Sequence, residues 1–453
     1  MLKQASRVLM ARWILPISDP AVENACLALD GDKVLGIYSR QEFEDLPAAR
    51  KAELKEDFGE AIICPGLMNL HTHLDYSGLK HFDNYSGFFE WIRGLIGNSW
   101  KWSKEEWLHS AAQGAREVAL SGTSTVLDAS YSGAAARAIA ASGLRGVVGL
   151  ELFGINEERA EQDFADWLTK YETFCQEADP ELKNAIKSGR VKISIAPHTP
   201  YSVCPALIRK AIAWSAEKKL PMQIHISESE AECQWIASAN ADLDLFLKEA
   251  FRTELPELPW RGQGLSPVKH LEKHELLADH IVAAHLVQIN ETDIDILSRH
   301  KVSAVHCPRS NSRLRNGVAP MSKMIRAGIE LGFGTDSAAS GDDLDVLAEA
   351  RFAWDLHRAI DKTFSERAEK AAYYLTLGAA KALKMDNIIG SLSAGKKADL
   401  AVFSIAHLPD IARSRPHESL IYGGAKPEEL LVDGKILVKD GYIARERSTS
   451  GHS

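Results

Sequence analysis

The chain lacks the features that mark membrane, secreted and nucleic-acid-binding proteins. No window of its 453 residues approaches the run of roughly 18 apolar positions that a membrane-spanning helix needs. The N-terminus, MLKQASRVLMARWILP, has no clean apolar core followed by a small-residue cleavage site, so no signal peptide is expected. The six cysteines (Cys26, Cys64, Cys175, Cys204, Cys233 and Cys307) are scattered and form no CxxC. That pattern fits a reducing, cytoplasmic setting better than a disulfide scaffold. Basic residues number 53 against 62 acidic ones, a net charge of −9. No basic patch dominates, so nucleic acid is not an expected partner. What is present, 45% hydrophobic and 25% charged residues, is the balance of an ordinary globular protein. The length allows about three domains, although single barrels often exceed the usual ~150 residues.

Both ends read as short strands and turns. ASRVLMARWIL, ACLALDGDKVLGIYS and FGEAIICPG alternate apolar and polar residues near the start, and ADLAVFSI and PEELLVDGKILVKDGYIA do so near the end. The matching patterns predict one composite β domain from residues 1–62 and 390–453. The middle, 63–389, alternates apolar runs with helical stretches. The runs are AIICPGLMNLHTH, STVLDAS, RGVVGLELFG, VKISIAP, PMQIHIS, HIVAAHLVQ, KVSAVHCP and IELGFGTDS, eight in all, with helical patterns such as KEEWLHSAAQGAREVALS between them. Eight strand–helix alternations predict an α/β chain folded as a (β/α)8 barrel, whose active site lies at the C-terminal strand ends. His71, His73, His198, His225, His285, His306 and Asp336 all fall at or near those ends.

His71 and His73 close the first run, and residues two apart in a strand share a face. His-x-His in a loop is common without any metal, so the pair alone is about an even bet. A lone His225 would usually be a core or cap residue, and a lone Asp336 a helix N-cap. Together these four residues offer three neutral nitrogens and one carboxylate, a donor set that suits Zn2+, or Fe2+ as the alternative. Glu228, three residues after His225, and His285, ending the next strand, are candidates for proton transfer. Their bland readings are a first-turn glutamate facing a helix dipole and a buried structural histidine.

The stretches PGLMNLHTHLD, PHTPYSV, HISESE, HCPRSN, LGFGTDS and GSLSAGKKADLAVF resemble the amidohydrolase superfamily, in its branch of cytosine deaminase-like and chlorohydrolase-like enzymes. They span nearly the whole chain in the matching order. The resemblance implies a distorted (β/α)8 barrel with a composite β-sandwich from both termini, and it is compatible with a homodimer. It assigns His71, His73, His225 and Asp336 as metal ligands, and Glu228, His285 and Asp336 as the catalytic proton carriers. Binuclear members carry a carboxylated lysine at the end of strand four. Here Lys192 stands only near the start of that strand, so one metal per chain is expected. The histidine matching His198 contacts substrate in adenosine-type deaminases.

The expected reaction is hydrolytic removal of an amino group from a ring carbon. Glu228 protonates the adjacent ring nitrogen, and Asp336 and His285 take up the proton of water. The expected substrate is a small molecule, a 6-aminopurine nucleoside, with aminodeoxyfutalosine as the sharper candidate. Candidate substrate contacts are His198, Glu151 at the end of strand three, Trp91, and Arg309, with Asn311 as a further polar group. Phe88, Phe89, Trp91, Trp100 and Trp102 suggest an apolar lid, although packing within an ordinary helix is the expected role for most of them. Rival readings on the same site are a guanine or cytosine deaminase, a triazine chlorohydrolase and a cyclic amidase. A rival of another class is a non-catalytic barrel used for binding or assembly.

Overall fold

The computed structural model describes residues 5–45, 54–80, 87–239, 241–251 and 258–444. Part of the aromatic segment considered above, 81–86, lies outside them. Five strands precede the barrel: β1 (Arg7–Ile14), β2 (Val22–Asp30), β3 (Lys33–Ser39), β4 (Leu54–Asp57) and β5 (Ala61–Pro65). The barrel strands are β6 (Leu67–Thr72), β7 (Thr123–Ser130), β8 (Arg145–Leu152), β9 (Val191–Pro197), β10 (Met222–Ile226), β11 (Ile281–His285), β12 (Ser303–His306) and β13 (Leu331–Phe333). Four more follow: β14 (Leu400–Ser404), β15 (Lys426–Val432), β16 (Lys435–Lys439) and β17 (Tyr442–Ile443).

The barrel strands form two parallel four-stranded sheets, β6-β7-β8-β9 and β10-β11-β12-β13. Apart from Lys192, their residues are buried, as expected of parallel strands covered by helices. The two seams between the sheets are thin. At one, the His225 amide donates to the His198 carbonyl at 3.0 Å. At the other, the Asp336 amide donates to the His71 carbonyl at 2.9 Å, and Thr72 pairs with Asp336. The distortion of the barrel is therefore concentrated where the candidate ligands lie. A complete ladder would fix each strand end in extended backbone. Here His285 (φ 74°), Ser227 (φ 54°) and Asp336 (φ 59°) adopt the left-handed region, which re-aims their side chains at a cost tolerated mainly at functional sites.

The termini build one nine-stranded sheet, in the order β17-β16-β15-β14-β5-β1-β2-β3 with β4 beside β1. It curls over a core that includes Leu9, Leu27, Ile63, Leu400 and Leu431. The β2–β3 turn thereby meets the β15–β16 turn, and a Cβ on Gly434 (φ +71°) would stand 2.2 Å from the Gly31 carbonyl. One expectation needs correction. The run Ala61–His73 is two strands, not one: β5 pairs with β1 and β14 in the terminal sheet, and β6 opens the barrel. Gly66 separates them, passing so close to Ser124 that a Cβ would lie 2.4 Å from it. The six cysteines are unpaired. Among the described residues no helix is long and apolar enough to cross a membrane.

Candidate active site

Strand ends β6, β10 and β13 bring His71, His73, His225 and Asp336 together. The His71 ring lies 4.9 Å from that of His73 and 4.8 Å from that of His225. One donor atom each from His71, His73 and Asp336 falls within 4.8 Å of the others, and the same holds for His71, His225 and His285. Each of the three histidines has its Nδ1 engaged: His71 with Gln223 Oε1 at 3.1 Å, His73 with the Ala129 carbonyl at 2.9 Å, His225 with the His198 carbonyl at 2.8 Å. Those acceptors fix the proton on Nδ1 and leave Nε2 as a lone pair. Burial, foremost, disfavours the charged form of all three rings: His71 is pushed down to about 4, and His73 and His225 are lowered too.

These residues fit a cation. His71 Nε2 is buried with no hydrogen-bond partner. His73 Nε2 and His225 Nε2 face each other at 3.1 Å, yet both are lone pairs in the tautomers their neighbours impose. Two acceptors so close need a positive centre between them, and nitrogens sharing one tetrahedral zinc stand about 3.3 Å apart. Asp336 supplies the negative charge. Its Oδ1 lies 3.7 Å from His71 Nε2 and 3.6 Å from His73 Nε2. Ser310 and Ser340 hydroxyls donate to its Oδ2 at 2.6 and 2.8 Å, and the Ser337 amide to its Oδ1 at 2.8 Å. Burial alone would raise its pKa, but His71 and His73 outweigh that and hold it at about 2.

Two further groups face the same centre. His285 is held through Nδ1 by Asn311 Oδ1 at 2.9 Å, and its Nε2 lies 3.7 Å from Glu228 Oε2. Burial pushes His285 down to about 4, so at neutral pH its Nε2 can accept a proton. Burial, then the charge of Asp336, lifts Glu228 well above the usual carboxyl range, the direction a proton-donating carboxyl needs. The fully buried Glu232 accepts from the Ser227 and Glu228 amides, each at 2.9 Å. Asn316 Nδ2 donates to Glu228 Oε1 at 3.1 Å. Gln223, Glu232, Ser310, Asn316 and Ser340 were not expected from sequence. Only Glu232 had a local signal, repeating the glutamate of HISESE one helical turn on.

A cavity of about 390 Å³ opens over these groups, lined also by Glu151, His198 and Trp91. Its volume lies in the range of small-molecule sites. Burial, then the nearby Asp75 and Asp128, raises Glu151 to about 8. His198 stacks near Phe153, ring centroids 5.0 Å apart, and its Nδ1 meets Ser202 Oγ at 2.9 Å. The helix Phe88–Ser99 and the residue that caps its C-terminus do form a wall: Phe88, Trp91 and Trp100 line the cavity, a larger share than expected. Phe89 packs instead on Phe246, and Trp102 on Trp107. Arg309 does not line the cavity. Its guanidinium is consumed by Glu349 (2.5 Å) and Asp343 (2.7 Å). Asn311 orients His285 rather than meeting substrate or capping a helix. His306, although at a strand end, is buried away from the cavity and pairs with His357 at 3.2 Å.

Comparisons with known proteins agree with this fold. A 5-methylthioadenosine/S-adenosylhomocysteine deaminase of Thermoanaerobacter pseudethanolicus is 29% identical over 94% of this chain and 91% of its own length. One of Thermococcus kodakarensis is 30% identical over 83% and 82% respectively. Among solved structures, a zinc-bound adenosine deaminase from Xanthomonas campestris superposes with a TM-score of 0.77 at 22% identity, covering 97% of this chain and 94% of that one. The zinc complex of atrazine chlorohydrolase from Arthrobacter aurescens gives 0.79 at 21%, covering 98% of each. The sequence signature of the amidohydrolase family matches residues 62–437. With that match across most of its length, the chain belongs to the amidohydrolase family and is a hydrolytic enzyme.

Proposed function

We propose that this enzyme holds one zinc ion per chain and deaminates a 6-aminopurine nucleoside to its 6-oxo product. The observation that carries the reading is one cavity lined by His73, His225, His285, Asp336 and the buried carboxyl of Glu228, with the His71 ring packed against those of His73 and His225. His71, His73, His225 and Asp336 would hold the metal, which when bound supplies Lewis acidity and lowers the pKa of water to near neutrality. Glu228 gives its proton to N1 of the purine, making C6 electrophilic. As water adds to C6, His285 and Asp336 take its proton, and His285 Nε2 is free to hold it. Glu228, now a carboxylate, takes the proton of the new C6 hydroxyl and passes it to the amino group. The C6–N bond breaks, ammonia leaves, the 6-oxo purine remains, and the proton held at His285 and Asp336 returns to Glu228.

The relatives' names support an adenine nucleoside. So does Glu151: a buried carboxyl on the cavity wall, with no side-chain hydrogen-bond partner among the described residues, suits the hydroxyls of a ribose. His198, on the same wall, suits a base or sugar acceptor. Aminodeoxyfutalosine, an adenine nucleoside with a long aryl extension, belongs to this class. The test is a panel of amino-purines, their nucleosides, pyrimidines and chlorotriazines, followed by ultraviolet absorbance and ammonia release. Adenine nucleosides should react and free adenine should be worse, because it leaves the ribose-facing groups unpaired. Preference for guanine, cytosine or a chlorotriazine over every adenine nucleoside would overturn the substrate class.

A further inference from the structure

Glu228 stands on a turn that few residues adopt unaided. Between β10 and the helix Glu230–Ser238 the chain passes through Ser227, whose φ of 54° lies in the left-handed region. A non-glycine residue keeps that conformation where its surroundings impose it. Here the turn is held from two sides. The Gln288 amide donates to the Ser227 carbonyl at 2.8 Å. The Glu232 carboxyl accepts from the Ser227 amide through Oε1 and from the Glu228 amide through Oε2, each at 2.9 Å.

A glutamate three residues after a serine N-cap ordinarily closes a capping box. Glu106 does so at the helix Lys104–Leu120: it is exposed, and it accepts from the amide of its own cap, Ser103, at 2.6 Å. Glu232 holds the same position after the cap Ser229, yet it is fully buried and reaches past the cap to the two residues before it. Burying a carboxyl costs free energy that an exposed capping box avoids. Its effect is a fixed backbone under Glu228. The far end of the Glu228 side chain is fixed as well: Asn316 Nδ2 donates to Oε1 at 3.1 Å, and Oε2 lies 3.7 Å from His285 Nε2.

We infer, on the reading above of Glu228 as the proton donor, that Glu232 is a positioning residue for the reaction. It does not line the cavity and acts by aiming Glu228 at the ring nitrogen and the leaving group. The experiment measures kcat and KM of the zinc-loaded Glu232→Gln enzyme for adenosine and for 6-chloropurine riboside, which share ring and sugar and differ in the leaving group. Glutamine has one acceptor oxygen where two N–H groups donate, so one of the two bonds is lost. Turnover of adenosine should fall by about tenfold to a hundredfold, the scale of a small misplacement of a reacting group, with KM little changed. Chloride leaves without a proton, whereas the amino group needs one from Glu228, so 6-chloropurine riboside should lose less. Adding Glu232→Gln to Glu228→Gln should cost little more, because a residue that acts through Glu228 then has nothing to aim. Parent-like turnover in Glu232→Gln, equal losses for the two leaving groups, or losses that add in the double variant would each overturn the inference and leave Glu228 as the acid. If Glu232→Gln loses its metal or fails to fold, Glu232→Asp, with both oxygens on a shorter arm, takes its place with the same expectations. Loss of metal or fold in both variants would assign Glu232 to the fold and overturn the inference too. Near-normal turnover in Glu228→Gln would sink the acid reading, and turnover of neither nucleoside by the parent enzyme would sink the nucleoside reading; this inference falls with either.

Discussion

Burial sets the titration of the groups at this site apart. It pushes His71 and His285 down to about 4 and lifts Glu228 well above the carboxyl range, while Asp336 is held at about 2. That division separates residues that should hold metal from the residue that should move protons, and two substitutions tell them apart. His71→Ala removes a donor whose Nε2 has no other partner. Elemental analysis should fall from about one transition metal per chain toward none. Two metals in the parent protein would end the mononuclear reading. Glu228→Gln keeps the shape and the Asn316 contact but has no proton to give. It should retain the metal and lose on the order of 10²-fold or more in turnover; near-normal turnover would move the acid role elsewhere. The cluster of His71, His73, His225 and Asp336 was legible in the sequence because each falls at or just past the end of an apolar run. Their supports were not. Gln223 reaches His71 from 152 positions away and Asn316 reaches Glu228 from 88, pairings that only the closed barrel creates. Arg309 misled for the same reason, since its acid partners Asp343 and Glu349 arrive from 34 and 40 positions on.

At the scale of elements, the eight barrel strands matched the apolar runs because strands buried on both faces read as continuous hydrophobic stretches. The break at Gly66 did not show, because β5 and β6 are equally buried although they serve different sheets. The helix Phe88–Ser99 kept its role hidden too, since an aromatic face packs on protein or on ligand with the same pattern. A different element offers a pH test. His270, on the helix Pro267–Lys273, is fully buried against Trp260 and His274, and neither of its ring nitrogens has a hydrogen-bond partner among the described residues. Burial, then His274, pushes it down to about 3. A depressed folded pKa gives stability that is present above the unfolded value near 6.5 and is lost as pH falls toward 3. From pH 7 to 4.5 this one residue should cost about 2 kcal/mol. His270→Leu should therefore lose less melting temperature over that interval than the parent protein. Both proteins share the other buried histidines, so the difference isolates this one, and parallel losses would refute the assignment.

Across the whole molecule, barrel and terminal sheet are joined by a buried ion cluster. Arg145 opens β8 and donates to Asp399, just before β14, at 2.6 and 3.1 Å, and to Asp433, in the β15–β16 turn, at 2.7 Å. The side chains of Arg145 and Asp399 are 3% and 2% exposed. Asp399 Oδ1 also accepts from the Asp433 amide at 2.8 Å, and the Asp399 carbonyl from the Gly66 amide at 3.0 Å. The cluster therefore ties the C-terminal strands to the segment that delivers His71 and His73. Burying charges is costly in itself, so the cluster need not be more stabilising than apolar packing of equal volume. Removing one partner is different, because it strands the others. Arg145→Ala leaves Asp399 buried without its cation and should cost about 3–5 kcal/mol. A combined Arg145→Met and Asp399→Asn variant leaves no unpaired buried charge there and should recover much of that loss. The melting temperatures of the metal-loaded proteins decide it. If the double variant melts below Arg145→Ala, the pair contributes attraction beyond mutual neutralisation. If Arg145→Ala melts with the parent protein, the two parts of the chain are held together by their apolar contact alone.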